Sequence, residues 1–544
     1  HGLLATTADI TNQDFMAGRN HFTIASPNAD AAVVNQGTIS IGEHGLAALV
    51  APHVHNAGII QGKMGQVVIA GVPTFTLDFY GDGLIQFQAT SKVTEKADPA
   101  EPLVRNDGTI SVDGGNVLIT ADAAAGVVDE TINMDGIIEA HSVGMENGVI
   151  VLKGGDEGLV NVAGVLDASG RDAGETGGTV KVLGEKVALY AGAQIDTSGD
   201  TGGGEVLIGG GFQGKGDEPN AKRTYVASGA SIKADAVTQG DGGEVIVWAD
   251  EVTGFAGDIS ADGGSRGGDG GFVEVSGKES LAFAGNVSVD APEGNTGTLL
   301  LDPSTLTIID GGEGTGDFDN DLFIDDQILA GDPDIGQNTV SWGVIDALGP
   351  TANVILEATG DVTIDDITGV YSGINNSIEL GLTSGSLQIT STNGSIIFTD
   401  LNDSISTRGG DITLTADSDI TVGALETSFI DEIGPLVGDV ALNAGNNIAV
   451  RSIDTDILGT GGTVILTANN NIDAGPINAS SAIVTLTATI GDISFETIRT
   501  GTGSNGGQVD LTAGGDIIGS SLFPEDVIID TSSASEIGGG ITVS

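Results

Sequence analysis

Short aliphatic blocks punctuated by Gly, Asn or Asp recur along this chain, mostly at steps of 20 to 28 residues. A fixed-period repeat of that size limits the fold to arrays whose units stack on one another. Near the start the unit is Asn35-Gln36-Gly37-Thr38-Ile39, then Asn56-Ala57-Gly58-Ile59-Ile60, then Asn106-Asp107-Gly108-Thr109-Ile110. The steps are 21 and 50 residues, the second fitting two coils plus an insertion. In the middle the punctuation becomes Gly-Gly before a strand, with second glycines at Gly178, Gly204, Gly243 and Gly271. In the last third the anchor is a Leu-Thr-Ala type strand followed by a polar turn and Asp-Ile or Asn-Ile. Leu414, Leu442, Leu466, Leu486 and Leu511 mark it at steps of 28, 24, 20 and 25.

Each unit holds two or three strands of four to six residues, with apolar and small polar residues alternating. Such strands are buried on one face. The Gly, Asn and Asp between them suit turns that need positive φ. No stretch has a sustained 3.6-residue apolar period. The best helix candidate is a short one over 121–129. Strand-turn-strand units without helices predict an all-β parallel β-helix, a single elongated solenoid with extra-helical loops, in which like residues of successive coils stack. At about 22 residues a coil the chain would make about 25 coils, and at ~4.8 Å a coil a rod about 120 Å long. The divisions expected are a partial β-helix over 1–120, a Gly-rich β-helix with inserted loops over 121–310, an acidic loop region over 311–350, and further β-helix repeats over 351–544.

Charge removes several functions. The 544 residues carry 18 Lys+Arg against 76 Asp+Glu, a formal charge of −58. That field repels phosphate backbones and anionic bilayer surfaces, so neither nucleic acid nor membrane is an expected partner. No apolar run is long enough for a transmembrane helix, which excludes membrane insertion by that route. Cysteine is absent, so disulfides, thiolate metal sites and Cys nucleophiles are excluded. No signal peptide is visible ahead of Gly2. Residues 1–7 read as the middle of a coil, and Ile541-Thr542-Val543-Ser544 as a strand with no polar cap, so both ends are expected to be either cut ends within a longer protein or polymerisation interfaces.

Several blocks resemble a known family. Gly2-Leu3-Leu4-Ala5-Thr6-Thr7, Asp14-Phe15-Met16-Ala17-Gly18 with Phe22, Val33-Val34-Asn35-Gln36-Gly37-Thr38-Ile39, and Leu46-Ala47-Ala48-Leu49-Val50-Ala51-Pro52 are similar to the haemagglutination-activity (two-partner secretion) domain of filamentous haemagglutinin-like exoproteins. So are the 240–250 block ending in Val247-Trp248-Ala249-Asp250, the 268–278 block around Gly270-Gly271-Phe272-Val273-Glu274-Val275, and Gly297-Thr298-Leu299-Leu300-Leu301-Asp302-Pro303. The resemblance covers roughly residues 1–310. It implies a secreted or cell-surface protein of a Gram-negative bacterium, a right-handed parallel β-helix, and an outer-membrane transporter barrel as partner during secretion. The family's Asn-Pro-Asn motifs, expected just upstream of Gly2, are not among these residues, so the chain would start inside the secretion domain.

Few residues suggest chemistry. Asp317, Asp319 and Asp321 place carboxylates at alternate positions, as calcium loops do, with Asp325 and Asp326 following. Leu322 stands where an EF-hand needs Gly and Ile328 where it needs Glu, which favours a solvated acidic loop over a calcium site. His53 and His55 share one strand face but are too few for a metal. Lys215-Gly216-Asp217 matches an integrin-type tripeptide, which chance also supplies. Trp248 and Trp342 read as packing residues or loop anchors. An enzyme would need clustered carboxylates with a base beside them. The one tight basic group, Lys222-Arg223 near Lys215, has no stacked acidic pair to serve, so no catalysis is expected.

The function expected is that of a surface fibre acting in adhesion, aggregation or biofilm. Loops such as Tyr80–Arg105, Gly211–Val226 and Gly311–Asn338 would project from it, and weak contacts would add along its length. A glycan or other cell-surface receptor is the expected ligand. The alternative is a filament or sheath subunit that binds copies of itself through its ends or sides. A polysaccharide-active β-helix enzyme comes last.

Overall fold

The computed structural model describes residues 2–78, 86–311, 338–370, 372–431, 434–501, 506–519, 529–531 and 541–544. The chain forms two compact units, one chiefly from His1–Leu281 with Gly285–Gly297, the other chiefly from Thr298–Asp317 and Gly336–Ser544.

Each unit is a parallel β-helix. In the first, Gly2–Thr6, Leu46–Ala51, Gln66–Gly71, Asn116–Ala121, Val149–Lys153, Thr179–Leu183, Glu205–Ile208, Glu244–Ala249 and Phe272–Gly277 build one long parallel sheet. The register puts like on like: Val180 pairs with Val206, Val206 with Val245, and Val245 with Val273. All four are fully buried. Each such aliphatic side chain contributes about 2 kcal/mol of burial. A second sheet includes Ala32–Asn35, His53–Asn56, Val104–Asn106, Ile132–Met134 and Leu159–Val162. A third runs from Thr38–Ser40 to Asn286–Ser288.

The repeated glycines sit where coils turn between sheets. A Cβ on Gly204 would fall 2.0 Å from the Gly178 carbonyl oxygen, and one on Gly243 would fall 2.1 Å from that of Gly204. Those corners hold backbone against backbone, so no side chain fits. The asparagine of the N-terminal motif does a second job. Asn35 Nδ2 donates to Asn56 Oδ1 (2.8 Å), and Asn56 Nδ2 donates to Asn106 Oδ1 (2.7 Å). Buried amides stacked in register satisfy one another along the column.

In the second unit the long sheet comprises nine strands, from Thr298–Leu301 through Asn353–Ala358, Ser386–Ser391, Asp411–Ala416, Val440–Ala444, Val464–Ala468, Val484–Ala488 and Val509–Ala513 to Ile541–Val543. Leu414, Leu442, Leu466, Leu486 and Leu511 stack in one buried row. The Asp-Ile and Asn-Ile turns stack too. Asp419 Oδ1 accepts from the Asn447 N–H (3.0 Å), Asn447 Oδ1 from the Asn471 N–H (3.1 Å), and Asn471 Oδ1 from the Asp492 N–H (2.9 Å). In the first unit Asp235 and Asp262 accept likewise from the Asp262 and Asp290 N–H groups, at 2.9 and 2.8 Å. Part of the acidity is therefore structural: a carboxylate caps the next coil's backbone.

Three expectations change. Residues 121–129 are not helical. Asn116–Ala121 is a strand of the long sheet, and buried Ala123 bridges to Val93. The 50-residue step is one coil with an insertion, because Arg105 pairs directly with His55. Among the described residues the coil count falls from about 25 to nine long-sheet strands in each unit, because a coil here carries three strands and insertions lengthen it.

Candidate functional site

The outward face of the long sheet in the first unit carries apolar stretches, and two insertions fold onto them. The first is an antiparallel sheet of Asn20–Phe22, Phe75–Asp78 and Gln86–Ala89. Phe75 stacks on Phe22 (4.7 Å between centroids, 9° between planes) and on Phe87 (5.6 Å). With Leu77 it covers outward-facing Leu46, Ala48, Val50, Val68 and Ala70. Offset aromatic stacks of this kind add to the burial they share.

The second lid is the loop over 209–222. It ends earlier than the predicted Gly211–Val226 insertion, since Arg223–Val226 is a strand of the second sheet. Its anchor is Trp248, which packs with Leu207, Ile246 and Phe272. Gly214, at φ +62°, lies flat on the indole, where a Cβ would fall 2.6 Å from Trp248 Cε2. Phe212 meets the Phe272 ring edge-on at 5.6 Å. Beneath the loop, buried Glu274 accepts from the Gln213 N–H (3.0 Å). At the margin Glu218 reaches Lys153 (3.2 Å) and Lys181 (3.0 Å). The described parts of these two insertions thus lie against the β-helix.

Between the lids the sheet is open. A groove of about 360 Å³ is lined by Val68, Leu118, Val149 and Val151 on its floor, by Phe87 and Ala89 of the antiparallel sheet, and by polar Gln66, Asn116, Thr120 and Lys153. Sequence reading missed this site, because its parts come from three distant segments and nothing local marks a lid strand. The clustering of Phe75 and Phe87 in a chain with 4% aromatics was the available signal.

Among the described residues, those singled out earlier do not assemble into a second site. Asp317, Asp319 and Asp321, with Asp325 and Asp326, lie outside the described residues. His53 and His55 go separate ways: His53 Nδ1 contacts the Pro102 carbonyl oxygen (3.0 Å) and His55 Nε2 contacts Asp107 (2.9 Å). Burial pushes the His53 pKa down, and neighbouring Lys96 adds to the effect. Lys222 pairs with Glu185 (2.7 Å), and Arg223 faces Glu251 at 3.9 Å. Lys215, Gly216 and Asp217 are exposed on the second lid. Trp342 is fully buried in the second unit. Asp366, Asp400 and Asp403 bring carboxylate oxygens within 4.8 Å of one another. Asp403 is buried, and its oxygens already accept from the Asn376 side chain and the Ile367 N–H, both at 2.9 Å. Burial raises its pKa.

One ion cluster holds coils together. His141 contacts Asp113 through Nδ1 (2.8 Å) and Asp167 through Nε2 (3.3 Å). The Asp167 hydrogen bond, with help from Asp113, lifts the imidazole pKa from 6.5 to about 9 against the opposing effect of burial. Burial alone would raise Asp167, but hydrogen bonds from His141 and Ser169 outweigh it and hold its pKa at about 2. A raised imidazole pKa stabilises the fold fully below 6.5 and stops doing so as pH climbs through 9. A depressed carboxyl pKa stabilises it above 3.8 and stops doing so as pH falls toward 2. His141→Gln should therefore lower the melting temperature most between about pH 4 and pH 6.5, and hardly at all above pH 9. The cluster is partly exposed, so the cost is about 1 kcal/mol. Melting curves of both proteins across that range test this, and a gap that does not vary with pH refutes it.

No protein-family model matches the sequence, and none of the curated proteins matches it. Among solved structures, the chain is similar to the HMW1 secretion domain from Haemophilus influenzae. The two share 32% sequence identity over 54% of this chain and 73% of that one, with a TM-score of 0.45.

Proposed function

On the premise that this chain is a relative of two-partner secretion exoproteins, we infer that it is a secreted bacterial β-helical protein acting in adhesion, aggregation or biofilm. Its partner during export is an outer-membrane transporter barrel. The observation that carries the reading is the 32% identity to a secretion domain, over 73% of that domain. It is the shared sequence, and not the superposition, that supports it. The stacked coils of this chain add support of their own, since a β-helix grows by repeating one unit and presents the same kind of surface many times over. The charge of −58 suits a surface that stays soluble outside the cell. We read the protein as non-catalytic, because Lys222 and Arg223 are engaged by glutamates with no open acid-base cluster beside them.

Immunogold labelling of producing cells, with and without the transporter gene, tests the reading. Label on the outer surface that vanishes with the transporter, together with fewer cells retained on an abiotic or epithelial surface when the chain is deleted, is the expected result. Label that stays at the surface without a transporter overturns the export route. Unchanged retention overturns the adhesive role.

A further inference from the structure

We propose that the groove between the two lids of the first unit receives an extended peptide strand, with aliphatic residues at alternate positions and a carboxylate at one end, laid along the edge of Gln86–Ala89. Three independent features specify that occupant. Gln86–Ala89 is an edge strand: it pairs antiparallel with Phe75–Asp78 on one side and has no strand on the other among the described residues. An open edge offers backbone donors and acceptors at strand spacing, which select an extended chain over a helix or a compact ligand. The middle of the groove floor is aliphatic, with Leu118 and Val151 only partly covered and Gln66, Asn116 and Thr120 at its ends, so side chains at alternate positions of an added strand meet an apolar strip bordered by polar groups. Among the described residues lining the groove, Lys153 alone is charged. It shares Glu218 with Lys181, at 3.2 and 3.0 Å, and an ammonium with three donors retains capacity for a further acceptor. In a chain with 76 acidic residues a cation at the groove wall with donor capacity left over selects for a carboxylate.

The lids explain why this stretch differs from the rest of the sheet. The antiparallel sheet seals the rows around Leu46 and Val68, and the 209–222 loop seals those around Leu207 and Ile246. The strip around Leu118 and Val151 lies between them, walled on one side by Phe87 and Ala89 and bounded on the other by the Lys153–Glu218 pair. Apolar surface walled in this way is a binding groove more often than an accident of packing.

The test uses the full chain and a fluorescein-labelled peptide of alternating Thr and Val ending in Glu, followed by fluorescence anisotropy. Saturable binding is expected. Val151→Asp should weaken it about tenfold or more by placing a charge on the apolar floor. Lys153→Glu should weaken it similarly and restore affinity for the same peptide ending in Lys, a rescue that an unfolded variant could not give. A peptide N-methylated at alternate backbone nitrogens should lose affinity about tenfold, because it cannot complete the edge pairing. Absence of saturable binding, or equal affinity for the N-methylated peptide, overturns strand addition. Sedimentation as a dimer that Val151→Asp converts to monomer assigns the groove to a second copy and overturns the peptide reading.

Discussion

Gly108→Ala should disrupt the coils around it, while the same change at Gly37 should pass almost unnoticed. Both glycines occupy the third position of one motif, Asn35-Gln36-Gly37 and Asn106-Asp107-Gly108. Neither has the positive φ that would make glycine obligatory. Their surroundings differ. A Cβ on Gly108 would lie 2.1 Å from the Gly58 carbonyl oxygen, 2.9 Å from the Gly58 nitrogen and 3.0 Å from Asn56 Nδ2. A Cβ on Gly37 meets nothing within 4 Å. Backbone atoms of an adjacent coil cannot rotate away as a side chain end can. The coils must part, and the hydrogen bonds of the Thr109–Asp113 and Ile59–Lys63 pairing strain with them. The cost expected is about 3 kcal/mol or more for Gly108→Ala, against about 0.5 kcal/mol or less for Gly37→Ala. Urea titration of both variants decides it. Equal midpoints would show that the coils have slack that the stacking does not suggest.

Asn56→Asp should destabilise the protein strongly near neutral pH and recover part of the loss in acid. Asn56 is fully buried, donates to Asn106 and accepts from Asn35. Aspartate keeps the acceptor and turns the donor into a second oxygen facing Asn106 Oδ1. A buried carboxylate whose second oxygen has no donor and faces another oxygen costs about 3 kcal/mol or more. Its folded-state pKa rises above the unfolded value of roughly 4 because burial disfavours the charged form. Stability then increases as pH falls through that raised value, since the protonated acid regains a donor. Asn56→Ala, which orphans both neighbours, should cost about 2 kcal/mol with no such recovery. Melting temperatures of the three proteins between pH 4 and pH 8 separate these outcomes, and a pH-independent loss for Asn56→Asp refutes the ladder as its cause.

The identity of the repeating unit was legible because a stacked fold imposes the same demand on every coil. Gly178, Gly204, Gly243 and Gly271 recur because each corner admits no side chain, and the Leu-Thr-Ala rows recur because each leucine stacks on the last. The 50-residue step before Asn106 was misread for the complementary reason. The insertion over 72–103 has its own strands and aromatic residues, and its register belongs to the outer face of the sheet, not to the coil. Residues 121–129 are rich in alanine, at 121, 123, 124 and 125, yet Ala121 and Ala123 are buried residues of paired backbone and not of a helix. Acidity was read as surface charge. Asp235, Asp262 and Asp419 show that part of it instead accepts backbone N–H groups from the next coil.

By itself the sequence determined that the backbone winds into parallel coils. Alternating aliphatic residues, with glycine or asparagine at each corner, leave an extended chain few other ways to pair its hydrogen-bonding groups while burying one face. Only the tertiary structure decided which outward face of those coils stays open. Phe22, Phe75, Phe87 and Trp248 are remote in sequence from most of the surface they cover, so whether they seal the sheet or leave Leu118 and Val151 accessible depends on where folded insertions come to rest, which no local pattern encodes.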